Sequence, residues 1–250
     1  MKLDFETIQL KEMDKVKLMN RTDRKYWFHR SQLPDLLESI KHDYYILNID
    51  GESQLPYKTT YYDTGSDKMF VDHHKGKLNR FKIRRRTYVN SGISFLEVKF
   101  KSNIGRTIKT RITAEPESSD FTEAENQFLT EQTPFEVEEL KASLLNQFTR
   151  LTMVHKGFKE RCTIDLNIRF KNGIKEMRFD DLVIVEIKAE ANSGISPLAL
   201  ILRNQRIKSS GFSKYCVGRS VLDTYLKRNA FKNKIRRIEK VMRSNELIKN

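Results

Sequence analysis

Between residues 21 and 188 the chain alternates charged and apolar positions in short runs, the period-two pattern of strands with one buried and one polar face. In 80–88 one face holds Arg80, Lys82, Arg84, Arg86 and Tyr88, and the other Phe81, Ile83, Arg85 and Thr87. Residues 95–101 set Phe95, Glu97, Lys99 and Lys101 against Leu96, Val98 and Phe100. In 107–112, Thr107, Lys109 and Arg111 oppose Ile108, Thr110 and Ile112. In 161–166, Arg161, Thr163 and Asp165 oppose Cys162, Ile164 and Leu166; in 182–188, Ile184, Glu186 and Lys188 oppose Val183, Val185 and Ile187. Helical spacing predicts a helix over 31–41 with Ser31 as N-cap, a second from Thr122, where Glu125 completes a capping box, and a third over 136–148. Further helices are expected over 197–208 and 219–243, the latter divided near Asn229. No repeat or low-complexity linker interrupts the chain, so one domain over 1–250 is expected, with a sheet over about 21–217 and a basic helical tail over about 219–250.

A sheet with one face in water also alternates, so periodicity alone marks no site. The sign of the charge changes the picture. Like charges opposed across strands destabilise a sheet, yet these polar faces are mostly Lys and Arg with isolated carboxylates. Helices covering the apolar faces would turn the cations inward. The expected fold is therefore α+β: a closed antiparallel β-barrel of about eight strands around a basic tunnel, with peripheral helices and a helical C-terminus. Arg forks and Lys ammonium groups suit a chain of phosphates, and a lone carboxylate such as Glu186 can share a hard divalent cation with phosphate oxygens.

Composition agrees: 47 Lys and Arg against 33 Asp and Glu give a net charge of +14, which favours a polyanionic partner. The tail from Lys227 is rich in Lys and Arg and could touch a membrane or a partner protein, or simply be a solvated helix face. Cys162 and Cys216 fall in no CxxC pair and read as buried thiols. Adjacent His73 and His74 have no evident third metal ligand. No apolar run approaches the roughly 20 residues of a membrane span, and the first residues lack the apolar core of an export signal, so the cytoplasm is the expected location. No P-loop or GxGxxG occurs, so a nucleotide would be held by side chains. No recognition-helix, zinc-finger or RNP-type signature points to nucleic acid.

Eight stretches together resemble the polyphosphate polymerase domain of the vacuolar transporter chaperone (VTC) family, within the triphosphate tunnel metalloenzymes. They are Arg21-Thr-Asp-Arg-Lys-Tyr-Trp27, Thr60-Tyr-Tyr-Asp-Thr64, Asn79-Arg-Phe-Lys-Ile-Arg-Arg-Arg-Thr-Tyr88, Phe95-Leu-Glu-Val-Lys99, Lys109-Thr-Arg111, Glu160-Arg-Cys-Thr-Ile-Asp165, Val185-Glu-Ile-Lys188 and Phe212-Ser-Lys-Tyr215. The resemblance implies an eight-stranded tunnel that transfers the terminal phosphoryl group of ATP to a polyphosphate chain. It assigns Lys25, Arg84, Arg86, Lys99 and Lys214 to catalysis and Lys109 and Ser213 to phosphate and nucleotide binding, and Lys82, Arg111, Arg161 and Lys188 from the strand faces, with Lys156, are expected to bind phosphate beside them. Glu186 falls at the glutamate that binds Mn2+ or Mg2+. ATP and polyphosphate are the implied partners, with a separate membrane protein as a further one at the inner face of the membrane. Two departures stand out: His155 and Lys156 replace a lumen tyrosine and arginine of fungal members, and Gly211 replaces a lysine for which Lys208 is the nearest substitute. A tunnel triphosphatase and a non-catalytic polyphosphate-binding module are the alternatives. The triphosphatase branch carries Glu-x-Glu where this chain has Asp23-x-Lys25, which favours the polymerase.

Overall fold

Alternation becomes an antiparallel sheet because each strand can bury one face under helices while its backbone pairs with neighbours on both sides. The computed structural model describes residues 4–15, 21–116, 118, 120–190 and 194–243; Lys249 of the basic tail lies outside them. In chain order the elements are β1 (Thr7–Ile8), β2 (Arg21–His29), α1 (Leu33–Ile40), β3 (Tyr44–Leu47), β4 (Leu55–Thr64), α2 (Lys68–His74), β5 (Arg80–Tyr88), β6 (Ser94–Lys101) and β7 (Thr107–Ala114). They continue with α3 (Glu123–Gln132), β8 (Leu140–His155), β9 (Glu160–Lys171), β10 (Glu176–Phe179), β11 (Leu182–Glu190), α4 (Pro197–Asn204), α5 (Lys214–Leu222) and α6 (Asn229–Met242). Among the described residues no helix is long and apolar enough to cross a membrane.

The main path of the sheet runs β2-β11-β9-β8-β4-β5-β6-β7, with β3 and β10 paired at its sides and β1 beside β3. The end strands β2 and β7 are not paired, so the sheet is open where the sequence predicts a closed barrel. The outer edge of β2 meets the segment before α5 instead: the Ser210 amide donates to the Lys25 carbonyl (2.8 Å).

The helix expected over 136–148 is replaced by a short 3-10 turn, Val137–Glu139, followed by the 16-residue strand β8. Leu140, Leu144 and Phe148 satisfy helical spacing, but their backbone pairs with β4 on one side and β9 on the other, and register shifts absorb the broken alternation. Ser31 is not the cap of α1: it lies in the 3-10 turn Arg30–Gln32, and its amide donates to His29 Nδ1 (3.1 Å). Thr122 and Glu125 do form the capping box of α3. Helix α4 starts under the Ser196 cap and ends at Asn204, short of Lys208, where Arg206 turns the chain at φ 61°. The helical end divides over 223–228, and α5 begins before the boundary expected near 217–219.

Alternation divides the core. Tyr26, Phe28, Val183, Val185 and Ile187 pack with α1 and α4 on the outer face, and Ile83, Leu96 and Val98 pack with residues of α3. On the concave face Trp27, Tyr61, Phe148, Ile168, Phe170 and Ile184 pack with Tyr215 and Cys216 of α5 and with Phe231 and Ile238 of α6. The concave face therefore has an apolar end closed by α5 and α6 and a charged end that stays open. Gly218 lets α5 sit this low, since a Cβ there would lie 2.6 Å from Leu144 and 2.7 Å from Phe170.

Candidate active site

The charged end of the concave face is a cavity of about 390 Å³. Its cations are Lys25 from β2; Lys82, Arg84 and Arg86 from β5; Lys99 from β6; Lys109 from β7; Arg150 from β8; Lys188 from β11; and Lys214 from α5. Asp23 and Glu186 are the carboxylates among its lining residues. Although β2 and β7 do not pair, residues of both reach this one hollow.

Two buried carboxylates hold much of the array. Glu97, 1% exposed, receives Arg84 through Nη2 (2.5 Å) and Nε (2.6 Å), and also pairs with Lys109. Burial alone would raise the Glu97 carboxyl, but Arg84, Arg86 and Lys109 outweigh it and bring it down to about 2. Asp165, 2% exposed, accepts Arg150 bidentately (2.6 and 2.9 Å) and also pairs with Lys214. Against the opposing effect of burial, Arg150 and Lys214 hold Asp165 well below the usual carboxylate range. Among the described residues Arg86 has no such carboxylate: burial, and then Arg84 beside it, lowers its guanidinium to about 10, and its buried Nε has no hydrogen-bond partner among them.

Glu186 lies opposite Lys25, and its ion pairs with Lys25 (3.4 Å) and Lys188 (3.9 Å) are long. Burial opposes its ionisation, but Lys188, Lys25, Arg150 and Lys214 bring it down to about 2. The described residues contain no group of three His, Cys, Asp or Glu side chains able to cage a metal. An ionised carboxylate in this cation-lined hollow fits a hard divalent ion that takes one protein carboxylate and fills its other positions with water or ligand oxygens.

Helix α5 closes the inner end of the hollow. Ser213 caps it, accepting from the Cys216 amide (3.3 Å), and the Ser213 Oγ accepts from Lys82 Nζ (3.3 Å). The helix thus presents an N-terminus, favourable to anions, to the cavity. Its seat is fixed from behind. Tyr215 donates to Asp63, whose carboxylate also accepts the amides of Thr64, Met69 and Phe70, and Arg219 pairs with Asp67 (2.5 Å) and Asp223.

Of the residues singled out in the sequence, Lys25, Lys82, Arg84, Arg86, Lys99, Lys109, Glu186, Lys188, Ser213 and Lys214 come together. Lys156 does not. It lies past the end of β8, pairs with Glu6 and sits 5.4 Å from the Tyr45 ring centre, because β8 stops at His155 and the following turn faces β3. Arg150, six residues earlier, is the cation this strand supplies; it was missed because the helix expected over 136–148 hides the strand that carries it. Arg111 is exposed and stacks over Phe95 (4.3 Å) outside the hollow. Arg161 lies opposite Lys188 in register but is not among the lining residues. Lys208 is exposed on the segment flanking β2 and does not replace the missing lysine in the cavity. Cys162 and Cys216 are both buried free thiols, as expected. His73 and His74 lie on α2, where both rings meet Phe231.

The model of the VTC domain matches residues 20–223, and the chain belongs to this family. Comparison with curated proteins gives no match. Among solved structures, a protein of Vibrio parahaemolyticus described as a proposed adenylate cyclase is similar at 11% identity and TM-score 0.48, over 80% of this chain and 99% of that one. A Hippeastrum protein first proposed as an adenylyl cyclase, and described as having a dominant triphosphatase activity, is similar at 14% identity and TM-score 0.48, over 81% and 96%. A conserved Pyrococcus furiosus protein is similar at 10% identity and TM-score 0.42, over 79% and 99%.

Proposed function

We propose that the chain is a metal-dependent polyphosphate polymerase that uses ATP. The observation that carries this reading is the cavity, where cations from six strands and the start of α5 surround a space lined by only two carboxylates among the described residues. Such a site suits a ligand with many phosphate charges spread along its length. Membership of the VTC family supports the same substrate class.

In the proposed reaction an oxygen of the terminal phosphate of the chain forms a bond to the γ-phosphorus of ATP. The bond from that phosphorus to the β,γ-bridging oxygen breaks, and its electron pair leaves on ADP. Phosphoryl transfer asks the protein mainly for alignment and charge neutralisation. Arg84 and Arg150, fixed by Glu97 and Asp165, supply rigid forks. Lys25, Lys99, Lys109 and Lys214 supply point charges, and Ser213 with the α5 N-terminus closes the inner end. Glu186 would hold Mn2+ or Mg2+; when bound, the ion would neutralise phosphate charge beside it.

Incubation with ATP labelled at the γ-phosphate tests the reading. Label should enter a ladder of chains on a polyacrylamide gel while ADP accumulates. Label recovered only as orthophosphate would replace the polymerase with a triphosphatase.

A further inference from the structure

The register of three strands places three lysines abreast. Lys82 lies opposite Lys99, and Lys99 opposite Lys109, so one row across β5, β6 and β7 carries three amines. In the next row Arg84 lies opposite Glu97, and Glu97 opposite Arg111. Like charges directly opposed across strands repel, and burial increases the cost. Little opposes that repulsion at Lys99. Glu97, the carboxylate of the adjoining row, is engaged by Arg84 and Lys109. Arg86 on β5 adds another positive charge, and Arg150 of β8 has its charge matched by Asp165. The outer members of the row have outlets that Lys99 lacks among the described residues: Lys82 donates to Ser213 Oγ, and Lys109 is paired with Glu97.

We propose that a phosphate group entering the row of Lys82, Lys99 and Lys109 brings a proton with it, taken from solvent by Lys99 Nζ, so that binding of a phosphate chain is proton-linked. This rests on reading the cavity as a phosphate-chain site. Without an anion the row sheds a charge at its middle member; with one, the Lys99 ammonium forms and donates to a phosphate oxygen. No bond to phosphorus changes in this step. The electrostatics agree: Arg84, then burial and Arg86, bring Lys99 down to about 6, and burial also lowers Lys82 and Lys109. Above that value the empty site holds Lys99 mainly as the free amine. Affinity for the chain then weakens as pH rises, by up to about tenfold per pH unit for one proton.

Calorimetric titration of the full chain with tripolyphosphate, at about pH 8 in two buffers of different protonation enthalpy, counts the protons taken up. The control is Lys99→Arg, which stays charged when empty. Wild type should take up roughly one proton more per tripolyphosphate than K99R, a difference from which the ligand's own protonation cancels. Lys99→Met, uncharged throughout, should show the same deficit with weaker binding, and stands in if K99R does not fold. Binding with equal uptake in wild type and both variants overturns the linkage alone. Failure of wild type to bind tripolyphosphate removes the phosphate reading of the cavity, and this inference with it.

Discussion

Asp165→Asn removes the charge that holds Arg150 and Lys214 while keeping the shape of the side chain. Asp165 is 2% exposed, and the side chains of Arg150 and Lys214 are each 14% exposed. Taking away one partner of a buried pair leaves uncompensated charge and costs about 3–5 kcal/mol. At about 2–4 °C per kcal/mol for a domain of this size, the melting temperature should fall by about 6–20 °C in differential scanning calorimetry. The sign of the pH dependence follows from the depressed carboxyl. The contribution of Asp165 is fully present above its ordinary value of 3.8 and is lost as pH falls below it. The gap between wild type and D165N should therefore be widest near neutrality and narrow in acid. On the proposed phosphate reading of the cavity these freed cations line, tripolyphosphate should raise the melting temperature of D165N by more than that of wild type. A D165N melting temperature within about 2 °C of wild type at neutral pH would refute the view that this pair organises the site.

Two further substitutions test how the site is built. Arg150→Met should lower turnover by about a hundredfold or more, as loss of one preorganised donor does, whereas Lys156→Met should leave turnover at the wild-type level; steady-state ADP release separates the two, and the reverse pattern would return Lys156 to the site. Gly218→Val should push α5 away from Leu144 and Phe170, costing about 1–3 kcal/mol in urea denaturation, with a loss of turnover beyond the loss of stability because Ser213 and Lys214 move with the helix. An unchanged denaturation midpoint would show that α5 tolerates a side chain at this crossing.

Side-chain direction was legible where strands alternate without interruption. The faces of 80–88, 95–101 and 182–188 read directly from the sequence, and they carry Lys82, Arg84, Arg86, Lys99, Glu186 and Lys188 to one hollow. Alternation could not say where the hollow ends. Trp27 and Ile184 share a face with Lys25 and Glu186, and only the packing of α5 and α6 divides that face into an apolar and a charged end. Arg150 was hidden because the apolar spacing over 140–148 fits a helix as well as a bulged strand, and pairing with both β4 and β9 decides between them. Closure was not legible either: whether β2 meets β7 or the chain before α5 depends on contacts distant in sequence. Glu97 and Asp165 fall on polar strand faces, but the sequence reading singled out only Glu186, because their pairing with Arg84 and Arg150 depends on the register between strands.

Phosphorus NMR of the purified chain with ATP and Mn2+ tests the central claim most directly, because internal chain phosphates, ADP and orthophosphate give separate signals in one time course. The account predicts growth of the internal-phosphate signal in step with ADP, and loss of both in Glu186→Gln. Orthophosphate rising with ADP while no internal-phosphate signal grows would contradict it.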